Sequence, residues 1–491
     1  MSRAARGSGA ADAASWWREA VVYQVYVRSF QDSDGDGIGD LRGITRRLEY
    51  LSWLGVDAAW LSPIYPSPLA DMGYDVADHT AVAPEYGTLA DLDELITAAH
   101  ERGIRVLLDL VPSHTSIEHP WFREHPEWYV WSPVDGPPNN WLATFGGSAW
   151  SRERRSGRWY LHSFYPEQPD LDWRNPEVRA AVGEVIRFWA QRGIDGFRID
   201  AVDRLVKDAD LRDDPPATEP FALALPEEYA ALAHVHSTDG PEMGIALGAL
   251  REAAGDAVLV GEVYLPTARL DRYLEHLDLA FTFELLHAPW EAGALARVIA
   301  EAAELGRVAW VLSNHDSPRI ATRLGEGWVR AAAMLLLTLP GAAFIYQGDE
   351  LGMPDGPGGE PPIDRAGRDA HRHPMPWSSA PNAGFSTRQP WLPVIAERRH
   401  VSAQRRDPGS LLSLYRAAIA LRPALGPGVE LLPAEEGVLA YRRGEFAVAL
   451  NLCERPCDSG LAGEVVLSTR EGVDPGRLEA GDGAAIRLER A

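Results

Sequence analysis

The stretch Gly193-Ile-Asp-Gly-Phe-Arg-Ile-Asp-Ala-Val-Asp-Arg-Leu205 places two opposite charges, Arg198 and Asp200, at the end of an apolar run that is typical of a buried strand. Side chains two residues apart on a strand lie on the same face. An arginine beside a carboxylate favours its ionised form, which a nucleophilic aspartate needs. This stretch alone leaves two interpretations open. Asp200 is a functional carboxylate, or it forms with Arg198 a buried ion pair at the end of a strand.

Outward from this stretch, strand and helix patterns alternate along the chain. The expected strands are 21–26, 56–61, 104–111, one ending at 200, 258–261, 277–283, 308–312 and 342–347. The expected helices include 41–54, 89–102, 175–191, 294–305, 329–337 and 411–421. Eight strands, each followed by a helix or an insertion, match a (β/α)8 barrel. We therefore predict an α/β fold: a TIM barrel with an inserted subdomain after strand 3 and a small C-terminal antiparallel β domain.

The domain boundaries follow from changes in composition. A stretch rich in Trp, Pro and Asn interrupts the alternation, and short strand patterns around turns follow residue 426. We expect the catalytic barrel at 1–111 and 176–425, the inserted domain at 112–175 and the C-terminal β domain at 426–491. The length of 491 residues accommodates a barrel of about 250 residues with these additions.

Composition and charge narrow the function classes. The formal net charge is −24, which disfavours nucleic acid and anionic membranes as partners. The only cysteines, Cys453 and Cys457, predict neither a disulfide framework nor a zinc site. The segment 1–15 lacks the apolar centre of a signal peptide, and no stretch is apolar enough to span a bilayer. We expect a cytoplasmic enzyme.

An acidic loop, Asp32-Ser-Asp-Gly-Asp-Gly-Ile-Gly-Asp40, follows the first strand. Its spacing resembles the start of an EF-hand loop, but Gly43 stands where the closing glutamate belongs. A solvated acidic turn is the alternative, although four carboxylates without a cation would repel one another. We predict a structural calcium or magnesium site whose ligands are Asp32, Asp34, Asp36, Ile38 through its carbonyl, and Asp40.

Polar residues recur at the ends of the predicted strands, where the active site of such a barrel lies. They are Asp109 and His114 after the third strand, Arg198 and Asp200 at the fourth, Glu262 at the fifth, and Asn314, His315 and Asp316 at the seventh. Glycoside cleavage requires two carboxylates with separate roles, a proton donor and a nucleophile. His234 and His236 form a His-x-His pair without neighbouring ligands, which favours an ordinary loop over a metal site.

Four of these segments together resemble the motifs of a known family. They are Asp109-Leu-Val-Pro-Ser-His114, Gly196-Phe-Arg-Ile-Asp200, Gly261-Glu-Val263 and Ser313-Asn-His-Asp316. The chain resembles the α-amylase superfamily, glycoside hydrolase family 13, and within it the oligo-1,6-glucosidase and α-glucosidase branch. Gln168-Pro-Asp-Leu-Asp172 resembles a fifth motif of that branch.

The resemblance implies a role for each matching residue. Asp200 would be the nucleophile, Glu262 the general acid and base, and Asp316 the third carboxylate that holds the reacting sugar. The implied substrate-binding residues are Asp71, Tyr74, His114, Phe145, Phe164, Arg198, His315 and Arg372, and an ion pair of Asp71 with Arg372 would close the pocket. Ser113 stands where many amylases carry a calcium-binding asparagine, so we expect no ion at that junction.

The resemblance implies a retaining, exo-acting α-glucosidase that acts on short oligosaccharides or α-glucosides. Ala201 stands where relatives that prefer α-1,6 bonds carry valine, so we expect a preference for α-1,4 bonds. A transglucosylase or a trehalose synthase-type isomerase on the same site is the alternative. A non-catalytic relative that serves as a scaffold is disfavoured, because all three carboxylates are in place.

Overall fold

The computed structural model describes residues 15–218, 226–395 and 397–488. Its centre is a closed barrel of eight parallel strands in the order β1-β10-β9-β8-β7-β6-β3-β2, which confirms the predicted TIM barrel. The barrel strands are β1 (Val21–Val25), β2 (Ala58–Leu61), β3 (Arg105–Leu110), β6 (Gly196–Ile199), β7 (Val258–Gly261), β8 (Leu279–Thr282), β9 (Val308–Val311) and β10 (Ala342–Tyr346). The numbers β4 and β5 belong to the insertion (Trp150–Arg152 and Trp159–Leu161).

The barrel strands are short apolar runs because both of their faces are covered, by the barrel interior and by the outer helices. Large rings, including Trp60, Phe281 and Phe344, fill the interior. Gly196 begins β6 where the backbone of β7 is too close for a side chain, since a Cβ atom there would lie 2.6 Å from the Val258 carbonyl oxygen. In register, Asp109 of β3 stands beside Arg198 of β6, so the charged ends of neighbouring strands meet.

Helices cover the outside of the barrel. They are α1 (Leu41–Leu54), α2 (Leu89–Glu101), α4 (Pro176–Gln191), α6 (Met243–Ala254), α9 (Ala292–Leu305), α11 (Val329–Thr338) and α13 (Leu411–Leu421), with shorter helices α3 (Pro120–Glu124), α5 (Glu227–Ala230), α7 (Asp271–Leu274), α8 (Glu284–His287), α10 (Ile320–Leu324) and α12 (Val401–Gln404). The Asp40 side chain caps α1 by accepting from the Gly43 amide at 2.7 Å. Thr88 and Asp91 form a reciprocal capping box on α2.

The insertion after β3 is a small layer of turns and aromatic rings built on the β4–β5 hairpin. It returns to the barrel through a bridge between His114 and Asp170 and enters α4 at the Asn175 cap. A second long connection follows β6 and carries α5. Both connections rise from the same rim, so they form walls above the strand ends.

The C-terminal region is antiparallel, as predicted. Its five-stranded sheet has the order β11-β12-β13-β17-β15, and β14 pairs with β16. The strands are β11 (Glu430–Leu431), β12 (Val438–Arg443), β13 (Phe446–Asn451), β14 (Cys457–Asp458), β15 (Glu464–Ser468), β16 (Arg477–Leu478) and β17 (Gly483–Arg487). Cys453 and Cys457 are free thiols whose sulfurs lie 3.0 Å apart.

The predicted elements match the observed ones with end shifts of one or two residues in most cases, and α1, β7 and α13 match at both ends. In the described ranges, every helix is too short or too polar to cross a bilayer. The expectation of no signal peptide concerns the N-terminal segment, of which residues 1–14 lie outside the described residues.

Candidate active site

One buried arginine joins three carboxylates at the rim of the barrel. Arg198 Nη1 lies 2.5 Å from Asp200 Oδ1 and 2.7 Å from Asp109 Oδ1, and its Nη2 lies 2.5 Å from Glu262 Oε1. The three carboxylates come from β3 and from the ends of β6 and β7. The structure thus brings Asp200 and Glu262 to one guanidinium group.

Burial has the largest effect on the pKa values of the three carboxylates around Arg198. It raises the pKa of Asp200 well above its usual value, against the opposing effect of Arg198. Burial also raises the pKa of Glu262 and brings that of Asp109 to about 6. Arg198 lowers the pKa of Asp200, as expected, but burial raises it by more. Since a single cation faces three buried carboxylates, full ionisation of all three is unfavourable.

Asp316 has the opposite electrostatic environment. Its Oδ1 lies 2.9 Å from both Arg368 Nη1 and Arg372 Nη2, and its Oδ2 lies 3.1 Å from His315 Nε2. Burial alone would raise the pKa of Asp316, but His315, Arg368 and Arg372 together lower it. Asp316 is therefore ionised where Glu262 tends to hold a proton.

The predicted pairing of Asp71 with Arg372 is wrong. Asp71 pairs with Arg368, whose Nη2 lies 2.5 Å from Asp71 Oδ1, and it accepts from Gln168 Nε2 at 3.0 Å. Arg372 instead donates to the His315 carbonyl and to Asp316, both at 2.9 Å. A 3-10 turn covers Arg368–His371. Both arginines reach Asp316, but only Arg368 reaches Asp71.

Tyr74 and His315 form a stacked pair at the bottom of the site, with ring centroids 5.5 Å apart. The Tyr74 hydroxyl lies 3.0 Å from Asp109 Oδ2 and 2.7 Å from His315 Nε2. Burial lowers the pKa of His315 to about 3 and that of His114 to about 4, so both rings are neutral at pH 7. The Gln24 amide nitrogen, 2.8 Å from His315 Nδ1, can only donate, which leaves the ring proton on Nε2 beside Tyr74 and Asp316.

A single cavity of about 1510 Å³ collects most of the predicted residues. Its lining includes Asp71, Tyr74, His114, Phe145, Phe164, Asp200, Glu262 and Asp316. Arg198, His315 and Arg372 lie behind this lining, at 2%, 0% and 0% exposure. They hold the carboxylates from behind, which the motifs did not indicate.

The sequence interpretation did not assign roles to several residues of the cavity wall. Gln168 stands within the fifth motif and Arg368 four residues before Arg372, but their contacts with Asp71 became visible only in the fold. Thr144, Arg204, Tyr229 and Tyr264 also line the cavity. They come from the insertion, from the connection after β6 and from the turn after β7, whose paths the spacing of the motifs does not predict.

The acidic loop brings three of its predicted ligands together. Carboxylate oxygens of Asp32, Asp34 and Asp40 all lie within 4.8 Å of one another, while Asp36 stands outside this group. Oxygen donors of this kind suit calcium or magnesium, so the three residues could hold either ion. The loop packs on the segment after β10, where the Asp32 amide donates to the Phe385 carbonyl at 3.1 Å, and it does not contribute to the cavity lining described above.

The first histidine of the His-x-His pair, His234, has structural contacts. The His234 ring stacks on Tyr229 at 3.7 Å, its Nδ1 lies 2.9 Å from Ser237 Oγ and its Nε2 lies 2.8 Å from the Tyr229 carbonyl. These contacts occupy both ring nitrogens of His234 and fold the connection after β6 onto itself.

A second buried ion pair joins the two connections. Lys207 Nζ lies 2.5 Å from Asp170 Oδ2, and both side chains are almost inaccessible to solvent. Asp170 also accepts from the Ser163 amide at 2.9 Å and from its hydroxyl at 2.5 Å. Asp170 is the bridge partner of His114, so this pair fixes the insertion, and the His114 backbone with it, to the connection after β6.

Comparison with known proteins shows which family the chain belongs to. Residues 24–426 match the family model described as alpha amylase, catalytic domain. A probable alpha-glucosidase of Rhizobium meliloti is 38% identical over 495 residues, covering 87% of this chain and 87% of its own. An oligo-1,6-glucosidase of Parageobacillus thermoglucosidasius is 37% identical, covering 83% of each. The crystal structure of the alpha-glucosyl transfer enzyme XgtA is 39% identical with a TM-score of 0.89, covering 96% of this chain and 100% of its own.

Proposed function

The chain belongs to the alpha-amylase family and is a glycoside hydrolase of the alpha-glucosidase group, and on that premise we propose that it is a retaining, exo-acting α-glucosidase. Its substrates are short oligosaccharides or α-glucosides, from which it releases the terminal glucose, preferably from α-1,4 bonds. The observation that carries this proposal is the Arg198 guanidinium, which holds the Asp200 and Glu262 carboxylates side by side at the cavity.

The division of roles follows the match of Asp200 and Glu262 to the family's motifs. Glu262, whose pKa is raised by burial, donates its proton to the oxygen of the breaking glycosidic bond. Asp200 attacks the anomeric carbon and forms a β-glucosyl ester, and the leaving sugar departs with the proton. Glu262, now ionised, removes a proton from water, which attacks the ester and releases glucose and free Asp200. Two arginines keep Asp316 ionised. Its carboxylate binds the reacting sugar and stabilises the positive charge that develops at the anomeric carbon.

The glucose pocket in this proposal lies between the barrel rim and the insertion. Asp71, Tyr74 and His114 line it together with Phe145 and Phe164. The Phe164 ring lies 5.2 Å from that of His114, and Phe145 lies 5.8 Å from Phe164. Apolar ring faces and fixed polar groups on one wall suit a sugar, which has one apolar and one hydroxyl-bearing surface.

Glucosyl transfer is the second candidate function, and the similarity to XgtA supports it. In a transglucosylase or an isomerase, a sugar hydroxyl takes the place of water in the second step, and the same three carboxylates serve both reactions. Incubation with maltose and analysis of the products separates the candidates. Free glucose as the sole product supports hydrolysis, whereas trehalose or longer sugars as main products would assign the chain to transfer or isomerisation.

A further inference from the structure

The two cysteines of the chain lie together in the C-terminal region, and no step of the proposed reaction uses them. Cys453 follows β13 by two residues, and Cys457 begins β14. They are not among the residues that line the cavity described above. Their sulfurs lie 3.0 Å apart, whereas a disulfide bond is about 2.0 Å long, so a movement of about 1 Å separates the two thiols from a covalent bond.

The side chain of Asn451 fixes the turn that brings the thiols together. Asn451 is buried, and its Nδ2 donates to the Arg455 carbonyl at 2.7 Å and to the Leu478 carbonyl at 2.9 Å. Its Oδ1 accepts from the Cys453 amide at 3.0 Å and lies 3.1 Å from Cys453 Sγ. The sulfurs therefore meet because the backbone of the turn is held in place, which is what a disulfide needs if it is to form without backbone movement.

A second turn, which precedes β12, passes over the thiols and leaves room for them because it carries a glycine. At Gly437, where φ is 95°, a Cβ atom would lie 2.9 Å from Cys453 Sγ and 3.9 Å from Cys457 Sγ. The neighbouring Glu436 carbonyl oxygen lies 3.8 Å from Cys457 Sγ. A larger residue at position 437 would collide with the Cys453 sulfur, so the glycine permits the close packing of this turn on the thiol pair.

The two thiols differ in their access to solvent. Cys457 is 1% exposed and packs in the apolar core of the C-terminal sheet, whereas Cys453 is half-buried and precedes the exposed residues 454–456. Burial raises the pKa of Cys457 to about 11, and only the thiolate form of a cysteine is a nucleophile. A small molecule in solvent therefore reaches Cys453 first, and Cys457 reacts with a sulfur that already lies beside it.

A metal site is the alternative use of two neighbouring thiols. Structural zinc sites almost always have four protein ligands. In the described ranges, the one group of three or more His, Cys, Asp and Glu side chains with suitable spacing is the acidic loop before α1. Glu435, in the turn over the thiols, is paired with Arg455 Nη1 at 2.6 Å. The surroundings of the thiols therefore favour a bond between the sulfurs over a metal.

We propose that Cys453 and Cys457 are a redox modification site, which forms a reversible disulfide by exchange with a low-molecular-weight disulfide. The Cys453 thiolate attacks one sulfur of that molecule, which gives a mixed disulfide and releases a first thiolate. Cys457 then loses its proton and attacks the Cys453 sulfur, and the second thiolate leaves. The cysteine pair loses two electrons and two protons, and the external disulfide gains both and becomes two thiols. This site is independent of the proposed function.

The test uses the full chain and oxidised glutathione as the probe. The protein is reduced with dithiothreitol, freed of the reductant and treated with oxidised glutathione, and its remaining thiols are then alkylated and located by mass spectrometry. We expect the treated chain to lose both alkylation sites and two hydrogen masses, and dithiothreitol to restore both thiols. The proposal is overturned if both thiols are still alkylated, if glutathione stays attached to Cys453, or if the chain forms a linked dimer.

Two variants separate the roles of the thiols. Cys457→Ser keeps the accessible thiol but lacks the second one, so glutathione should stay attached to Cys453. Cys453→Ser keeps only the buried thiol and should take up glutathione much more slowly. Equal uptake by the two variants would overturn the assignment of Cys453 as the attacking thiol.

The melting temperature gives a second measurement on the same samples. The disulfide would join the turn after β13 to the first residue of β14, and a cross-link of this kind stabilises mainly by constraining the unfolded chain. The oxidised chain should therefore melt at a higher temperature than the reduced chain, and the two single variants should not show this rise. A lower melting temperature of the oxidised chain would mean that the turn must distort to close the bond, which would contradict the geometry described above.

Discussion

Arg198 places Asp109, Asp200 and Glu262 around one positive charge, and this determines how the site can titrate. Asp200 must be ionised to attack, and Glu262 must be protonated to donate. Burial raises the pKa of both groups. Because the two groups are coupled, the apparent pKa values of the pH profile belong to the pair and not to one residue.

The first prediction concerns this pair. Activity should fall as the pH drops through the raised pKa of Asp200, because the nucleophile becomes protonated. It should also fall as the pH rises through the raised pKa of Glu262, because the donor loses its proton.

Glu262→Gln should lower kcat for maltose by about 10² to 10⁴. It should also remove the alkaline limb of the pH profile with p-nitrophenyl α-glucoside, whose leaving group needs no protonation. A Glu262→Gln protein that keeps the limb would contradict the assignment, as would an Asp200→Asn protein with undiminished turnover.

The second prediction concerns Ala201, which is buried, lines the cavity and has a left-handed backbone with φ of 41°. A valine here would take up space that the leaving sugar of an α-1,4 bond needs. Maltose should therefore have a higher kcat/KM than isomaltose, and Ala201→Val should narrow or invert that ratio, by an effect of about 1 to 3 kcal/mol. If the unmodified enzyme already favours isomaltose, this interpretation of Ala201 is wrong.

The Ala201→Val experiment needs a control for effects of valine on the backbone at this position. A branched side chain is disfavoured at positive φ, and the Ala201 amide donates to Glu262, so valine could disturb the proton donor as well as fill space. Such a disturbance lowers the rates with both substrates together and leaves their ratio unchanged. Ala201→Ser adds one atom without branching and should preserve the preference for maltose.

At the scale of single residues, the motifs predicted which side chains lie at the rim of the barrel better than they predicted the ion pairs between them. Asp200 and Glu262 directly follow β6 and β7, which pair in parallel register, so their positions at one rim were predictable. The partner of Asp71 was not predictable, because Arg368 and Arg372 lie four residues apart in one segment. Only the turn at this segment decides which of the two side chains reaches Asp71.

At the scale of elements, the acidic loop connects β1 to α1 and binds a second segment of the chain. Asp40 serves both the loop and the helix, since it caps α1 and belongs to the carboxylate group. The Trp391 amide donates to the Gly37 carbonyl at 3.0 Å. An ion bound by Asp32, Asp34 and Asp40 would therefore stabilise the packing of the first connection against the segment that follows β10.

The third prediction is that this ion contributes to stability and not to catalysis. Calcium should raise the melting temperature, since a free ion concentration 100-fold above Kd stabilises by about 2.7 kcal/mol. A chelator should reverse that rise and leave turnover at low temperature largely intact. Immediate loss of turnover without unfolding would show a catalytic ion instead.

Two variants of the same loop identify the ligands. Asp34→Asn changes a member of the close carboxylate group and should remove the calcium-dependent rise in melting temperature. Asp36→Asn changes a carboxylate outside that group and should retain it. If both variants lose the rise, Asp36 is a ligand as well. The ion would then be bound by the four aspartates expected from the spacing, and not by Asp32, Asp34 and Asp40 alone.

At the scale of the whole molecule, the barrel was predictable because each of its strands is a short apolar run between a helix and a loop. The order of the strands around the barrel follows from parallel pairing with consecutive connections. The two long connections were not predictable to the same degree. Their rings and buried ion pairs, such as Lys207 with Asp170, pack on each other through contacts between distant positions, which leave no periodic pattern in the sequence.

Those connections give the cavity its shape, with one end closed. Beyond the Asp71–Arg368 pair, Arg365 Nη1 lies 3.1 Å from Glu167 Oε2, and its guanidinium lies 4.2 Å from the centre of the Tyr165 ring. The segment after β10 and the insertion therefore meet across this end of the cavity. We therefore expect no path for a glucan chain past a terminal glucose that is bound at Asp71.

The fourth prediction is exo-action, which follows from this closed end. With soluble starch, glucose should accumulate while viscosity and iodine colour fall slowly, because each cut removes one terminal unit. Arg368→Ala should lower kcat/KM for maltose, since it opens the end and leaves the buried Asp71 carboxylate without its cation. Arg388→Ala, which alters an exposed arginine outside the cavity lining, serves as the control and should leave kcat/KM for maltose unchanged. A rapid fall in viscosity with little free glucose would mean mid-chain cutting, which a cavity closed by Asp71 and Arg368 does not permit, so the pocket would have to open during turnover.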